Sequence, residues 1–318
     1  MCRHRGPGKA VGHLPSPARG VAASMNLHMN RGFIRLLCAL LVLPWLGACS
    51  TGQLVARSSV SIMDGSVDAM NRETDLDLAR TAIPANLKLM EGLINEDPDN
   101  AELLTYAAQG FYGYAFGFVE LDQPARAAAL YARGYAYGKR ALQALGLQLD
   151  LDHAGVDELE QALQGLGDKA VPALFWTASC WAKQIDLQRD DPARIAQLAS
   201  SERLMRRVLQ LQPDFYHGGV YLYFGVYYGG RSPLLGGDPQ RAARYFEQAR
   251  AVTGGRLLMV DVLQAEYLER QRLDRERFHR LLSRVVATPV GVFPQMALAN
   301  QVARVRAERL LQHETEWF

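Results

Sequence analysis

The residue with the clearest chemistry in this sequence is Cys49, in the motif Leu46-Gly47-Ala48-Cys49. Small residues before a cysteine fit the narrow cleft of a signal peptidase, and the thiol is then the atom that accepts a diacylglycerol. Residues 29–35 are short and basic, and residues 36–46 form an apolar run. A membrane-spanning helix needs about 20 apolar residues, and this run is shorter. The sequence therefore predicts a lipoprotein signal peptide over residues 29–48 and lipidation of Cys49.

The segments around the signal peptide are interpreted separately. Residues 1–28 lack an apolar run, and we interpret them as a non-native upstream extension, with the natural start at Met25 or Met29. A basic nucleic-acid-binding tail is the alternative, but it would be removed with the signal. Residues 49–60 are predicted to be a lipidated polar tether, and residues 61–318 an α-helical domain. Ser50 favours the outer membrane, with the domain facing the periplasm.

The charge balance changes when the signal is removed. The chain has 35 Lys and Arg against 33 Asp and Glu, and residues 1–48 hold six of the basic residues and none of the acidic ones. Taking six from 35 leaves 29 basic against 33 acidic residues, a net charge of −4. Phosphate binding relies on positive charge, so we predict no nucleic-acid partner.

The remaining candidates for catalysis are isolated in the sequence. Cys180 is the only thiol left after processing and lipidation, so no intramolecular disulfide is expected. A catalytic thiol is the alternative, but its place between Trp176 and Trp181 favours a small buried packing residue. The histidines lack metal-ligand spacing, and no nucleophile-elbow motif is present. We therefore predict no catalytic residue, metal or cofactor.

Two glycine loops flank a predicted helix start. Gly229-Gly230-Arg231 and Gly236-Gly237-Asp238 are able, in principle, to bind an anion through backbone N–H groups. The simpler interpretation, which we favour, is that the glycines form turns, Asp238 caps a helix and Arg231 pairs with a carboxylate.

Aromatic residues beside glycine form the most unusual pattern in the sequence. Three stretches, at 111–118, 131–138 and 221–228, place aromatic side chains on every face of a helix. Ordinary core packing accounts for part of this excess, and a ligand-lining wall for the rest, because tyrosine offers an apolar ring and a hydroxyl. The candidate lining residues are Tyr112, Tyr114, Tyr223, Tyr227 and Arg231. Tyr112 and Tyr227 are predicted to face away from the packing groove of their own helix pair.

Apolar side chains recur at intervals of three and four nearly throughout the chain, which predicts helices. The candidate lining residues therefore lie on or beside helices. Turn signals such as Asp190-Asp191-Pro192 and Gly236-Gly237-Asp238-Pro239 separate the helices. A shift of 115 residues aligns two stretches without a gap, from Pro98-Asp99 on Pro213-Asp214 to Pro124 on Pro239. The sequence therefore predicts an all-α fold with an internal duplication.

Each duplicated unit has the spacing of a degenerate tetratricopeptide-like helix pair. Small residues allow two antiparallel helices to approach closely, and aromatic residues fill the groove beside them. The loop between the helices is five residues longer than expected in both copies. The predicted structural residues are Gly110, Ala127 and Tyr131 in the first copy and Gly225, Ala242, Phe246 and Ala249 in the second.

The second copy, with its Tyr-Leu-Tyr-Phe-Gly helix and the loop from Tyr228 to Asp238, resembles the TatT family. This family is the T component associated with tripartite ATP-independent periplasmic (TRAP) transporters, and the resemblance covers essentially the whole mature chain. It implies a lipid-anchored protein of cryptic tetratricopeptide repeats, a homotrimer, and an apolar pore or cleft. It also implies a periplasmic solute-binding protein, the P component, as partner. The first copy departs from the pattern, with Gln109 and Gly113 where the second has Phe224 and Tyr228.

Two functions follow as hypotheses. In the first, the protein is a non-enzymatic, lipid-anchored component of a TRAP-type uptake system that docks the P component and guides an apolar or amphipathic ligand. In the alternative, it is a tetratricopeptide-like scaffold lipoprotein in envelope assembly, with no small-molecule ligand. An enzyme is the least favoured class.

Overall fold

The computed structural model describes residues 51–318, and every regular segment in that part of the chain is helical. The prediction of an all-α fold is confirmed for these residues. The upstream extension, the signal peptide and Cys49 lie outside the described residues. Within them, no helix combines the length and the apolar character needed to cross a membrane.

The helices follow one another with short connections. In chain order they are α1 (Thr51–Ser58), α2 (Val60–Asn71), α3 (Leu76–Glu96), α4 (Ala101–Tyr114), α5 (Pro124–Ala144), α6 (Val156–Leu163), α7 (Val171–Asp186), α8 (Pro192–Ala196), α9 (Leu198–Leu211), α10 (Phe215–Gly229), α11 (Pro239–Thr253), α12 (Met259–Gln264), α13 (Arg270–Arg272), α14 (Arg275–Ala287), α15 (Ala297–Gln312) and α16 (Glu314–Trp317). Two π-helical segments, Ala115–Val119 and Ala265–Glu269, continue α4 and join α12 to α13.

Side-chain caps explain where several helices begin. The carboxylate of Asp238 accepts hydrogen bonds from the backbone N–H groups of Gln240 and Arg241, and Pro239 takes the first helical position. Asp191 caps α8 before Pro192 in the same way. Free N–H groups at a helix start need such acceptors, and proline has no N–H to satisfy there. The predicted turn signals thus coincide with helix boundaries.

The segment predicted as a polar tether is helical over Thr51–Ser58. Ala56 is buried, and the side chains of Gln53 and Arg57 donate to the carboxylate of Asp97 at 2.8 Å and 3.1 Å. These contacts tie α1 to the end of α3. The residues that follow Ser50 therefore belong to the packed helical part of the chain.

Helix boundaries recur at the 115-residue offset. Helix α3 ends at Glu96 and α9 at Leu211, while α5 begins at Pro124 and α11 at Pro239. The pairs α4–α5 and α10–α11 each pack closely against each other, and α7 lies against both α5 and α9. The structure thus contains two corresponding helix pairs, which we call the first pair (α4–α5) and the second pair (α10–α11).

All of the predicted structural residues except Gly110 lie where the helices of a pair meet. Ala127, Tyr131, Ala242, Phe246 and Ala249 are fully buried. A Cβ atom added at Gly225 would lie 2.8 Å from the Phe246 ring, and one added at Gly110 would lie 2.7 Å from the Leu87 side chain. Real Cβ atoms do not come so close to a packed ring, so glycine at position 225 permits the contact within the second pair. Gly110 instead faces Leu87 of α3, outside the first pair.

Candidate functional site

A cavity with a volume of about 960 Å³ lies in the described part of the chain. Its walls come from α2, α3, α4, α7, α10 and α12, with α8, α9 and α15 contributing further residues. Ligand pockets in proteins commonly measure about 300–1,000 Å³. The space is therefore large enough for a small organic molecule.

All five residues that the sequence suggested as lining residues lie on this one cavity. Tyr112 and Tyr114 come from α4, Tyr223 and Tyr227 from α10, and Arg231 from the residues after α10. Because Tyr112 and Tyr227 are related by the 115-residue shift, the corresponding helices of the two pairs face the same space.

Tyr112 also packs within its own helix pair. Its ring centroid lies 5.6 Å from that of Tyr131 and 5.4 Å from that of Trp176. The sequence-based prediction that Tyr112 faces away from its own pair is therefore wrong. The reason is that α7 crosses here and encloses the ring, and burial raises the pKa of the Tyr112 hydroxyl.

A column of stacked side chains runs along the cavity face of α10. Tyr223 and Tyr227 are four residues apart, with ring centroids 6.0 Å apart and planes 16° from parallel. The Arg231 guanidinium carbon lies 3.7 Å from the Tyr227 ring centroid. Side chains four residues apart on a helix are neighbours, and a guanidinium over an aromatic ring gains a cation–π attraction.

The environment of Arg231 differs from the sequence-based interpretation. Its Nε donates to the Tyr227 carbonyl oxygen at 2.9 Å and its Nη2 to the Gly236 carbonyl oxygen at 3.4 Å. The predicted pairing with a carboxylate is wrong for the described residues. The polypeptide turns back sharply after Gly230 and brings carbonyl groups to the guanidinium instead.

The same turn closes the alternative backbone anion site. Gly236 N–H and Gly237 N–H donate to the carbonyl oxygens of Pro233 and Ser232. Asp238 caps the first turn of α11, as the sequence predicts. The N–H groups of Gly230 and Asp238 also donate to carbonyl oxygens of α10. Arg231 is the charged residue of this loop that lines the cavity.

A buried ionic cluster lies at the cavity wall, where Lys183 and Asp186 line the cavity. Lys183 Nζ is 2.8 Å from Glu120 Oε1 and 3.1 Å from Asp186 Oδ2. Arg306 donates to Glu120 Oε1 at 3.2 Å, Tyr131 donates to Glu120 Oε2, and Tyr267 donates to Asp186 Oδ2 at 3.0 Å. Buried charges need oppositely charged partners, and Lys183, Glu120, Asp186 and Arg306 each have one in this cluster.

The cluster sets the ionisation of its members. Burial alone would raise the pKa of the Glu120 carboxyl, but Lys183 and Arg306 hold that pKa below its usual value. Burial also opposes ionisation of Asp186, yet Lys183 and Arg189 lower its pKa to about 2. Glu266 is different, because burial raises the pKa of its carboxyl, and its Oε2 has no hydrogen-bond partner among the described residues.

Backbone strain is concentrated at the start of α10. Tyr216, His217 and Gly218 are consecutive left-handed residues, with φ of 50°, 58° and 81°. Left-handed conformations cost non-glycine residues about 1–2 kcal/mol each. Aromatic packing holds the turn, because the Tyr216 ring lies 4.7 Å from Trp176 and 5.8 Å from Phe175, measured between centroids. All three of these aromatic residues line the cavity.

Sequence reasoning missed several residues at the site. Lys183, Asp186 and Tyr267 were not singled out, because their partners lie far away in the sequence. The i, i+3 spacing of Lys183 and Asp186 on a largely apolar helix was the available signal. Cys180 is buried, as predicted, and its thiol donates to the Ala108 carbonyl oxygen at 3.5 Å. Burial raises the pKa of this thiol, which disfavours the reactive thiolate.

Comparison with known proteins gives one family. Residues 72–318 match the family model TAtT, described as TRAP transporter T-component. The match covers most of the chain, including both helix pairs and every wall of the cavity except α2. No curated protein matches the chain.

Proposed function

We propose, from the premise that the chain belongs to the TRAP transporter T-component family, that it is a non-enzymatic, lipid-anchored and periplasm-facing component of a TRAP-type solute uptake system. In this role it docks a periplasmic solute-binding protein, the P component, and guides an apolar or amphipathic ligand. The observation that supports this proposal is the cavity of about 960 Å³. A scaffold alone has no need of such a space at the meeting point of two helix pairs.

The lining of the cavity supports an apolar or amphipathic ligand. Aromatic and aliphatic side chains dominate, while tyrosine hydroxyl groups supply a few hydrogen-bonding positions. The Tyr223 hydroxyl, for example, already exchanges a hydrogen bond with Ser201 at 2.9 Å. Fixed aromatic walls with few free polar groups select for ligands with a large apolar surface.

Exposed apolar side chains at the cavity rim support docking of a partner. Ile62, Leu89 and Leu235 line the cavity and are 63%, 56% and 69% exposed. Large apolar side chains at the mouth of a cavity commonly mark an interaction surface. The solute-binding protein of the same transporter is the proposed partner, because the ligand would then pass directly between two binding sites.

Two further parts of the proposal rest on the sequence. Acylation of Cys49 would hold the domain at the membrane, and Ser50 favours the outer membrane over the inner one. A homotrimer is the proposed assembly, as the family resemblance implies. Mass measurement of the purified protein in solution tests the assembly state.

The experiment that tests ligand guidance compares two tyrosines on α10. Tyr227 lies on the cavity wall, whereas Tyr221 lies on the same helix outside it. We expect Tyr227→Ala to weaken binding of the ligand or of the P component while leaving Tm nearly unchanged, and Tyr221→Ala to leave binding intact. Adding Tyr112→Ala to Tyr227→Ala should deepen the binding defect, with some loss of stability because Tyr112 also contacts Tyr131.

Phe246→Ala is the reference for a pure core defect, because Phe246 is fully buried and lies outside the cavity. It should lower Tm strongly without a specific binding defect in the folded fraction. If the tyrosine substitutions lower Tm and leave binding unchanged, the cavity is ordinary packing space and the scaffold alternative takes its place.

A further inference from the structure

The charged residues that line the cavity are gathered in one region. Among the described residues they are Lys183, Asp186, Arg189 and Arg231. The first three lie one helical turn apart along the end of α7 and just beyond it, and Asp186 pairs with both Lys183 and Arg189. Arg231 lies nearby, because Gly230 packs on the ring of Tyr267, whose hydroxyl donates to Asp186.

The lining contributed by α2 and α3 is different. It consists of apolar side chains such as Ile62, Met63 and Leu89, together with uncharged amide and hydroxyl groups. The cavity is therefore asymmetric, with a charged region beside α7 and α10 and an uncharged region between α2 and α3.

The charged region has an excess of positive charge. Three of its four lining residues are cationic, and the one carboxylate, Asp186, is already shared by Lys183 and Arg189. Lys183 is compensated further by Glu120 behind the wall. Arg231 has only carbonyl oxygens as hydrogen-bond acceptors in the described part of the chain.

Arg231 is held in a fixed orientation for an incoming ligand. Its stacking on Tyr227 and its bond to the Tyr227 carbonyl fix the plane of the guanidinium. The donors of a guanidinium lie in that plane and match the geometry of carboxylate and phosphate oxygens. The neighbouring residues, from Ser232 to Gly236, are exposed, so this part of the wall lies at an opening of the cavity.

We propose that the ligand carries a single anionic head group that binds Arg231, with its apolar tail extending along the aromatic wall toward α2 and α3. This inference rests on the proposed function, because it specifies the chemistry of the guided ligand. A carboxylate and a phosphate head group share the required chemistry.

The test uses four ten-carbon amphiphiles that differ only in the head group: decanoate, decyl phosphate, decanol and decylamine. Each is titrated below its micelle concentration into the purified full-length protein. Binding is followed by tryptophan emission, to which Trp176 on the cavity wall contributes. We expect decanoate or decyl phosphate to bind at least tenfold more tightly than decanol or decylamine. The tighter of the two anions identifies the head-group class.

Substitution of the arginine isolates its role. A charge-assisted hydrogen bond is worth about 1.5–3 kcal/mol, so Arg231→Gln should weaken binding of the anions about ten- to a hundredfold and leave decanol unchanged. Arg231→Lys should recover part of the loss. Arg241→Gln is the matched control, because Arg241 also stacks on a tyrosine, Tyr228, but lies outside the cavity lining.

The outcomes separate this inference from the proposed function. If decanol and decanoate lose affinity equally in Arg231→Gln, the residue only holds the loop and the head-group assignment is overturned. Tighter binding of decylamine, or anion binding unchanged by Arg231→Gln, overturns it as well, while the apolar conduit stands. Failure of all four amphiphiles to bind the wild-type protein overturns both proposals.

Discussion

The first and second helix pairs bury an aromatic ring at the same position and surround it differently. In the first pair the ring is Tyr131, whose hydroxyl donates to the buried carboxylate of Glu120. In the second pair the corresponding ring is Phe246, and the residue that corresponds to Glu120 is Leu235, which is 69% exposed. A buried hydroxyl requires a hydrogen-bond partner and a phenyl ring does not. Tyrosine therefore fits the first pair, where Glu120 accepts its hydrogen bond, and phenylalanine fits the second.

The two pairs also differ in which part of the chain supplies the arginine that stacks on an aromatic ring. In the first pair, Arg306 from α15 stacks on Phe116 at 3.7 Å and pairs with Glu120. In the second pair, the position that corresponds to Phe116 is Arg231 itself, which stacks on Tyr227. The first pair is thus closed by a neutralised ionic cluster, whereas the second presents an arginine to the cavity. The same helical arrangement therefore ends in a buried ionic cluster in the first pair and in a cavity-lining arginine in the second.

The largest expected effect comes from truncating the two corresponding rings. Phe246→Ala should reduce the free energy of unfolding by about 3–5 kcal/mol, because it empties a buried ring position. Tyr131→Ala should cost about 1.5–3 kcal/mol more, because it also removes a hydrogen bond to a charged group. Urea unfolding of both variants measures the difference, and Tyr131→Phe isolates the hydroxyl contribution. Equal losses in the two alanine variants would show that Glu120 gains nothing from Tyr131.

The second prediction addresses what the two pairs have in common. Ala127→Leu and Ala242→Leu add volume at fully buried helix contacts, so each should reduce stability by about 1–3 kcal/mol. The controls are Ala129→Leu and Ala251→Leu, at exposed positions on the same helices. A variant at Ala242 that melts like its control would contradict the equivalence of the two helix contacts.

The third prediction concerns the ionic cluster that distinguishes the first pair. The pKa of Asp186 falls from an ordinary value of 3.8 to about 2 in the folded protein. Between these two pH values the unfolded chain binds more protons at Asp186 than the folded protein does. The stabilisation from the ionised Asp186 carboxylate is therefore fully present above about pH 4 and is lost as the pH falls toward 2. The ionised Asp186 carboxylate contributes about 2 kcal/mol to the free energy of unfolding at neutral pH.

Urea unfolding at several pH values measures this dependence, with Asp186→Asn as the control. Asp186→Asn should be less stable at neutral pH and should lose stability less steeply below pH 4. An unchanged slope in this variant would assign the acid sensitivity to other carboxylates, and the distinction between the two pairs would then rest on Tyr131 and Glu120 alone.

The sequence by itself determined the all-α class and several helix boundaries, although it missed the helix over Thr51–Ser58. Capping residues such as Asp191 and Asp238 lie directly before a proline, and local chemistry of this kind acts within one turn of the chain. The duplicated spacing also placed Ala127 and Ala242 at helix contacts, because helical periodicity fixes which residues share a face. The candidate lining residues followed from an excess of aromatic side chains that periodicity alone did not explain.

Only the tertiary structure decided how charge is distributed around the cavity. Glu120 meets Lys183 across 63 residues of sequence and Arg306 across 186, and no local pattern links residues so far apart. The left-handed turn at Tyr216 likewise depends on the rings of Phe175 and Trp176 from another helix. A charge or a strained residue is stable only in surroundings that compensate it, and here those surroundings are assembled from distant helices.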